Sequence, residues 1–185
     1  MSDPAAHTGA WRLIGVARSL AAEHDPDANL ERILNAAREL TGARYAALAV
    51  LNRTRTGLER FATAGIDDAT RHAIGDQPRG RGVLGALITT PRPTRTREVA
   101  THPQHYGFPG AHPTMHSFLG LPIHVRGAVW GNFYLAEKDT GEFTEADENI
   151  ALVLADWAAA TIEIAHTYTT RALAPCECFQ RRASS

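Results

Sequence analysis

The sequence predicts an α+β fold: a central, mostly antiparallel sheet with helices from both ends of the chain on one face and loops on the other. Three observations point there. Helical periodicity occupies the N-terminal stretch up to Thr41 and returns from Phe143 to Tyr168. Between these stretches lie several short β-rich runs, and the clearest of them are joined by turns too short to hold a crossover helix.

Each element follows from its own residues. Trp11 to Glu23 reads as a first helix. In DANLERILNAARELTG, residues Leu30, Ile33, Leu34, Ala37 and Leu40 recur at helical spacing, from Asp27 as the expected N-cap to Gly42, where a helix should stop. RYAALAVLN, the turn NRTRTG and LERFATAG read as strand, turn and strand. A short polar helix is expected at DDATRHAIG and a short apolar one after Gly80 and Gly82, in GRGVLGALI. PTRTREV suits an edge strand, because the prolines before it cannot donate to a ladder. SFLGLPIHV, the turn Arg126-Gly127 and AVWGNFYLAEK form a hairpin whose alternation places Trp130, Asn132 and Tyr134 on one face and Val129, Phe133 and Leu135 on the other. The last helix opens with a capping box, Thr144 with Asp147 three residues on. Its expected buried stripe is Ile150, Val153, Leu154, Trp157, Thr161, Ile164 and Ala165. The tail ALAPCECFQRRASS carries little pattern.

Bulk properties narrow the function. The chain has 185 residues, enough for one continuous core, and its 19 Lys and Arg nearly balance 20 Asp and Glu. No charge excess directs it to nucleic acid or to an anionic membrane surface. Cys176 and Cys178 sit together in the tail and imply no disulfide framework, which favours a reducing cytoplasm. The N-terminus has no signal-peptide pattern, and no apolar run approaches the roughly 18–20 residues of a membrane span.

Few motifs carry chemistry. GRGVLG could offer backbone N–H groups to a phosphate, but it lacks the Lys-Ser/Thr of a Walker motif, and a structural turn accounts for it as well. No Gly-x-Ser-x-Gly elbow is present and both thiols are in the tail, so a nucleophilic enzyme is not expected. Histidines concentrate in HPQHYGFPGAHPTMHSFLGLPIHV. A zinc site built from His102, His105, His112 and His116 is disfavoured: Pro113 interrupts any helix there, and no Cys, Asp or Glu lies between Thr101 and Ala136 to complete it. Exposed imidazoles are the plain alternative. His112 differs from the others, since Tyr106, Phe108, Pro109, Pro113, Met115 and Phe118 surround it. One ordered imidazole in an apolar, stiff loop suits the axial ligand of a haem better than a zinc ion, and the lack of Cys-x-x-Cys-His makes any haem non-covalent. Tyr134 on the facing hairpin could offer its hydroxyl to a ligand on iron or to a backbone carbonyl.

Taken together, GRGVLGALI, HPQHYGFPGAHPTMHSFLGLPIHVRG and GNFYLAEKDTGEFTEADE resemble the first GAF domain of the DevS/DosT oxygen- and redox-sensing histidine kinases of actinobacteria, over roughly Leu30 to Tyr168. The resemblance implies a GAF fold of about six antiparallel strands enclosing haem b, with the iron ligand at His112 and the distal tyrosine at Tyr134. It implies a cofactor slot lined by Phe61, Val83, Leu84, Ile88, Phe108, Met115, Phe118, Leu119 and Leu121. Residues 1–26 would then be an N-terminal helical segment, 27–168 the GAF domain and 169–185 a tail. The implied function is that of a cytoplasmic sensor of dioxygen, nitric oxide, carbon monoxide or redox state. It would bind rather than catalyse, form a homodimer through its terminal helices, and signal to a histidine kinase or other partner, since no kinase module follows. A haem-free GAF module for another small ligand, or a dimerisation and docking scaffold, is the alternative. A GAF-type methionine sulfoxide reductase would need reactive cysteines beside the pocket.

Overall fold

The computed structural model describes residues 4–67, 69–70, 87–103 and 113–173. Helix α1 (Pro4–Ala21) and α2 (Pro26–Thr41) lead into β1 (Ala43–Leu51) and β2 (Leu58–Ala64). Strand β3 (Thr94–Thr96), a 3-10 turn (Val99–Thr101), β4 (Phe118–Val125), β5 (Ala128–Lys138) and the long α3 (Glu145–Leu173) follow. The five strands described form one antiparallel sheet in the order β2-β1-β5-β4-β3. Short hairpin turns place β1 beside β2 and β4 beside β5, as the local sequence requires, whereas the β1–β5 pairing closes the sheet across the chain.

Helix α2 starts two residues earlier than its sequence suggests. Asp25, not Asp27, is the N-cap: its backbone is extended and its carboxylate accepts a hydrogen bond from the Asp27 N–H at 3.0 Å. Pro26 takes the first helical position, where its missing N–H costs nothing. Gly42 ends the helix at φ 70°, a left-handed conformation that glycine adopts without penalty. The first helix likewise begins at Pro4, ahead of the expected Trp11.

The core lies between α2, α3 and one face of the sheet. Leu30, Ile33, Leu34 and Ala37 of α2 meet Leu48 and Val50 of β1, Leu119, Leu121 and Ile123 of β4, and Phe133 and Leu135 of β5. On α3 the buried residues include Ala151, Leu154, Ala155, Ala158, Thr161 and Ile162, with Ile150 and Trp157 packed against them, so Leu154, Thr161, Ile150 and Trp157 of the expected stripe do face the core. Val153 and Ile164 are instead exposed, at 38% and 53%. The alanines between Leu154 and Ile162 let α3 approach α2 and β4 closely. Residues Glu145–Thr167 are also long and apolar enough to span a bilayer, with mean hydropathy 1.3, contrary to the expectation that no such run exists. Their inner stripe is packed in the domain core. The capping box forms as expected: the Thr144 N–H donates to Asp147 Oδ2 at 2.7 Å, and Thr144 Oγ1 accepts from the Asp147 N–H at 3.3 Å.

Candidate functional site

Strand alternation and register define the face away from the helices. One rung across it reads Tyr45, Ala136, Phe118 and Thr96. The next reads Thr63, Ala47, Tyr134, Gly120 and Thr94, and a third Phe61, Ala49, Asn132 and Pro122. None of these side chains carries a charge at neutral pH. A second, smaller cluster covers the first two rungs: Tyr45, Leu87, Val99, Met115, Phe118 and Ala136, with Tyr134 and Ile66 against it. The Phe118 and Tyr134 rings stack with centroids 6.0 Å apart. Gly120 is needed here, because a methyl group at that position would lie 2.7 Å from Leu87 Cδ1 and from the Phe118 ring. Burial pushes the Tyr134 phenol well above its ordinary value of 10.0, so it remains a protonated donor, and among the described residues nothing bonds its hydroxyl.

The structure brings only part of the expected slot together. Tyr134, Met115 and Phe118 share the cluster just described, and Phe61 lies on the same face two strands away. Leu119 and Leu121 do not join them. Both are fully buried in the helix-side core, because residues that follow and precede Gly120 by one must point to the opposite face of the strand. Ile88 is half-buried beside Leu87. Val83, Leu84, Phe108 and His112 lie outside the described residues, as do the glycine-rich loop, His105 and both cysteines. Trp130 also departs from its expected face. The β4–β5 register shifts between Ile123 and His124, leaving Trp130 as the extra residue of a β-bulge, and its ring packs on the core side, 4.9 Å from His166 of α3.

One group was not legible as functional. His116, grouped with ordinary exposed imidazoles, is held from two directions: its Nδ1 lies 2.8 Å from Glu98 Oε2, and its backbone N–H donates to Glu137 Oε1. Glu137 itself sits in the left-handed region at φ 55°, and its carboxylate turns back to the start of β4. The carboxylates that complete this arrangement come from just outside the histidine-rich stretch. The hydrogen bond and charge of Glu98 raise the His116 imidazole above 6.5, with Glu137 acting in the same direction. A raised folded-state value means the stabilisation is fully present below about pH 6.5 and is lost as pH rises through the higher folded value. In Glu98→Gln the His116 midpoint, read from its ring C–H resonances by NMR, is expected to fall; an unchanged midpoint would show that the pair does not form in solution.

A family model for the GAF domain matches residues 23–163. The chain belongs to the GAF family. Among solved structures, this GAF domain is similar to the GAF domain of a phosphoenolpyruvate-protein phosphotransferase from Coxiella burnetii, with TM-score 0.77 and 22% identity over 92% of this chain and 100% of that one. It is also similar to the free methionine-R-sulfoxide reductase of Neisseria meningitidis, solved with its substrate, at TM-score 0.70 and 21% identity over 91% and 95% of the two chains. A GAF domain/HD domain protein from Geobacter sulfurreducens matches at TM-score 0.66 and 16% identity, over 80% and 98%. At these identities the likeness establishes the fold: an antiparallel sheet with its helices, of which five strands are described here. The family is one of sensor-type regulatory domains whose members serve different ligands and roles.

Proposed function

We propose that this GAF domain is a cytoplasmic haem-b sensor of dioxygen, nitric oxide, carbon monoxide or redox state. The observation that carries the reading is the uncharged, mostly apolar sheet face around one partly buried phenol that nothing bonds among the described residues. That chemistry fits a porphyrin, which needs an apolar slot and few polar contacts. When bound, the haem supplies an iron centre that takes a diatomic ligand or an electron. His112 would hold the iron, a role that rests on the sequence resemblance alone. Tyr134 would donate a hydrogen bond to a ligand on the distal side, its ring kept in place by Phe118. Met115 and Leu87 would exclude water from that side.

A path from this face to the output helix exists in the contacts of β5. Tyr134 lies four residues beyond the bulge at Trp130, which packs on His166 of α3. The Glu59 carboxylate approaches His166 Nε2 at 3.3 Å, Arg53 donates to the His166 carbonyl at 2.8 Å, and Arg126 pairs with Glu163. A displacement of β5 would therefore be felt at α3. Exposed Trp11 and Ile14 on α1, and Leu152, Val153 and Ile164 on α3, support homodimer formation through these helices and signalling to a histidine kinase or other partner.

A haem-free module for a smaller ligand is favoured by one observation: Leu87 seats against Gly120 and Phe118, so protein already fills the face beside Tyr134. Adding hemin to the purified protein separates the readings. The haem reading expects a Soret band and a mass gain equal to haem, with the spectrum lost or changed in His112→Ala. No Soret band, or an unchanged spectrum in that variant, would refute it.

A further inference from the structure

The second rung of the ligand-side face holds three hydroxyl-bearing side chains besides the phenol's neighbours of carbon: Thr63, Tyr134 and Thr94. Thr94 Oγ1 donates to the Arg92 carbonyl at 3.4 Å, and Thr96 in the adjoining rung both accepts from the Glu98 N–H and donates to the Glu98 carbonyl, each at 3.2 Å. Thr63 is different. Its Oγ1 is buried and has no hydrogen-bond partner among the described residues. A hydroxyl removed from water without a partner is destabilising, and native proteins rarely keep one without a reason. Alternation places this side chain on the same face as Tyr134, since Ala62 and Ala64 on either side of it pack into the helix-side core. Only Ala47 separates it from Tyr134 across the rung. Two strand spacings put the two backbones roughly 10 Å apart, and β2 is the edge strand of the sheet.

We infer that Thr63 is a specificity-determining residue of the ligand site, its Oγ1 donating a hydrogen bond to an acceptor on the rim of the bound molecule. The inference rests on the haem reading above and deepens it: the acceptor would be a carboxylate of haem b, held by Thr63 on the β2 side of Ala47, while Tyr134 would serve the ligand on iron. A planar apolar ligand without an acceptor on that edge would leave the hydroxyl unmatched and bind less tightly. Ala47 is the required spacer, because a larger side chain would stand between the two hydroxyls.

Thr63→Val tests this with nearly unchanged shape, and Thr63→Ser restores the donor. In the haem-free protein, Thr63→Val is expected to raise the thermal unfolding midpoint by about 2–4 °C, because it removes an unmatched buried hydroxyl. Absorbance titration with hemin is expected to show roughly tenfold weaker binding by Thr63→Val, near wild-type binding by Thr63→Ser, and equal binding of hemin dimethyl ester by wild type and Thr63→Val. A lowered unfolding midpoint, or hemin binding by Thr63→Val equal to that of wild type, overturns the assignment of Thr63 while leaving the haem reading in place. Failure of the wild-type protein to take up hemin overturns both.

Discussion

Gly131→Ala is expected to destabilise the domain by about 3 kcal/mol or more. A Cβ at this position would lie 2.1 Å from the Ala49 carbonyl oxygen and 3.3 Å from Val50 Cα, and both atoms are backbone of the neighbouring strand. No rotamer change relieves such a clash, so β1 and β5 would have to move apart. Gly131 pairs with Val50 on one side and Ile123 on the other, in the middle of the sheet, and it adjoins the bulge that turns Trp130 toward α3. Separating the strands there would therefore weaken the ladder and loosen the Trp130–His166 contact together. Urea denaturation followed by circular dichroism measures the first effect and Trp130 fluorescence the second. An unfolding free energy within about 1 kcal/mol of wild type would mean that the sheet relaxes at little cost.

The second large effect is expected at Asp147→Ala. Lys138 Nζ lies 2.9 Å from Asp147 Oδ2 and donates to the Thr41 carbonyl at 2.5 Å, with the two side chains only 12% and 9% exposed. The pair joins the end of β5, the end of α2 and the first turn of α3. Removing the carboxylate leaves the ammonium poorly compensated in a site that excludes water, and it also removes the cap that Asp147 Oδ2 provides to the Thr144 N–H and hydroxyl. Breaking a buried pair in this way costs about 3–5 kcal/mol. Lys138→Met combined with Asp147→Ala should recover part of that loss, because no buried charge is then left alone. The comparison of single and double variants by chemical denaturation separates the ion pair from the cap. If the double variant is as unstable as the sum of the singles, the two charges do not interact.

These expectations draw on features that differ in how readily a sequence displays them. Helix α2, the β1–β2 and β4–β5 hairpins and the Thr144–Asp147 cap were all legible, since each depends on residues near one another along the chain. Tyr134 lies on the face away from the helices, as the alternation predicts, because period-2 alternation runs from Gly131 to Ala136. It failed at Trp130, where one inserted residue reverses the side on which everything before it points. The resemblance implied a place in the slot for Leu119 and Leu121, whereas their parity opposite to Phe118 and Gly120 sends them to the core. On α3 the periodicity found Ile150, Leu154, Trp157 and Thr161, but it also included Val153 and Ile164, which are exposed, and it missed Ala151, Ala155 and Ala158, whose small size matters only once α2 and β4 are packed against them.

The candidate site divides in the same way. Its apolar residues and its phenol are written in the sequence, but the partners of His116 come from 18 and 21 residues away, and nothing local marks them. Thr63 is unremarkable in LERFATAG and becomes notable only because Thr94 and Thr96 find partners and it does not. By itself the sequence determined the fold class and the main helices and hairpins, because these follow from periodicity, turn chemistry and short-range capping, and its motifs identified the family by resemblance. Which face each side chain serves, how β1 meets β5, and which polar groups are satisfied were decided by the tertiary structure alone, because sheet register, bulges and close packing depend on contacts between residues far apart in the chain.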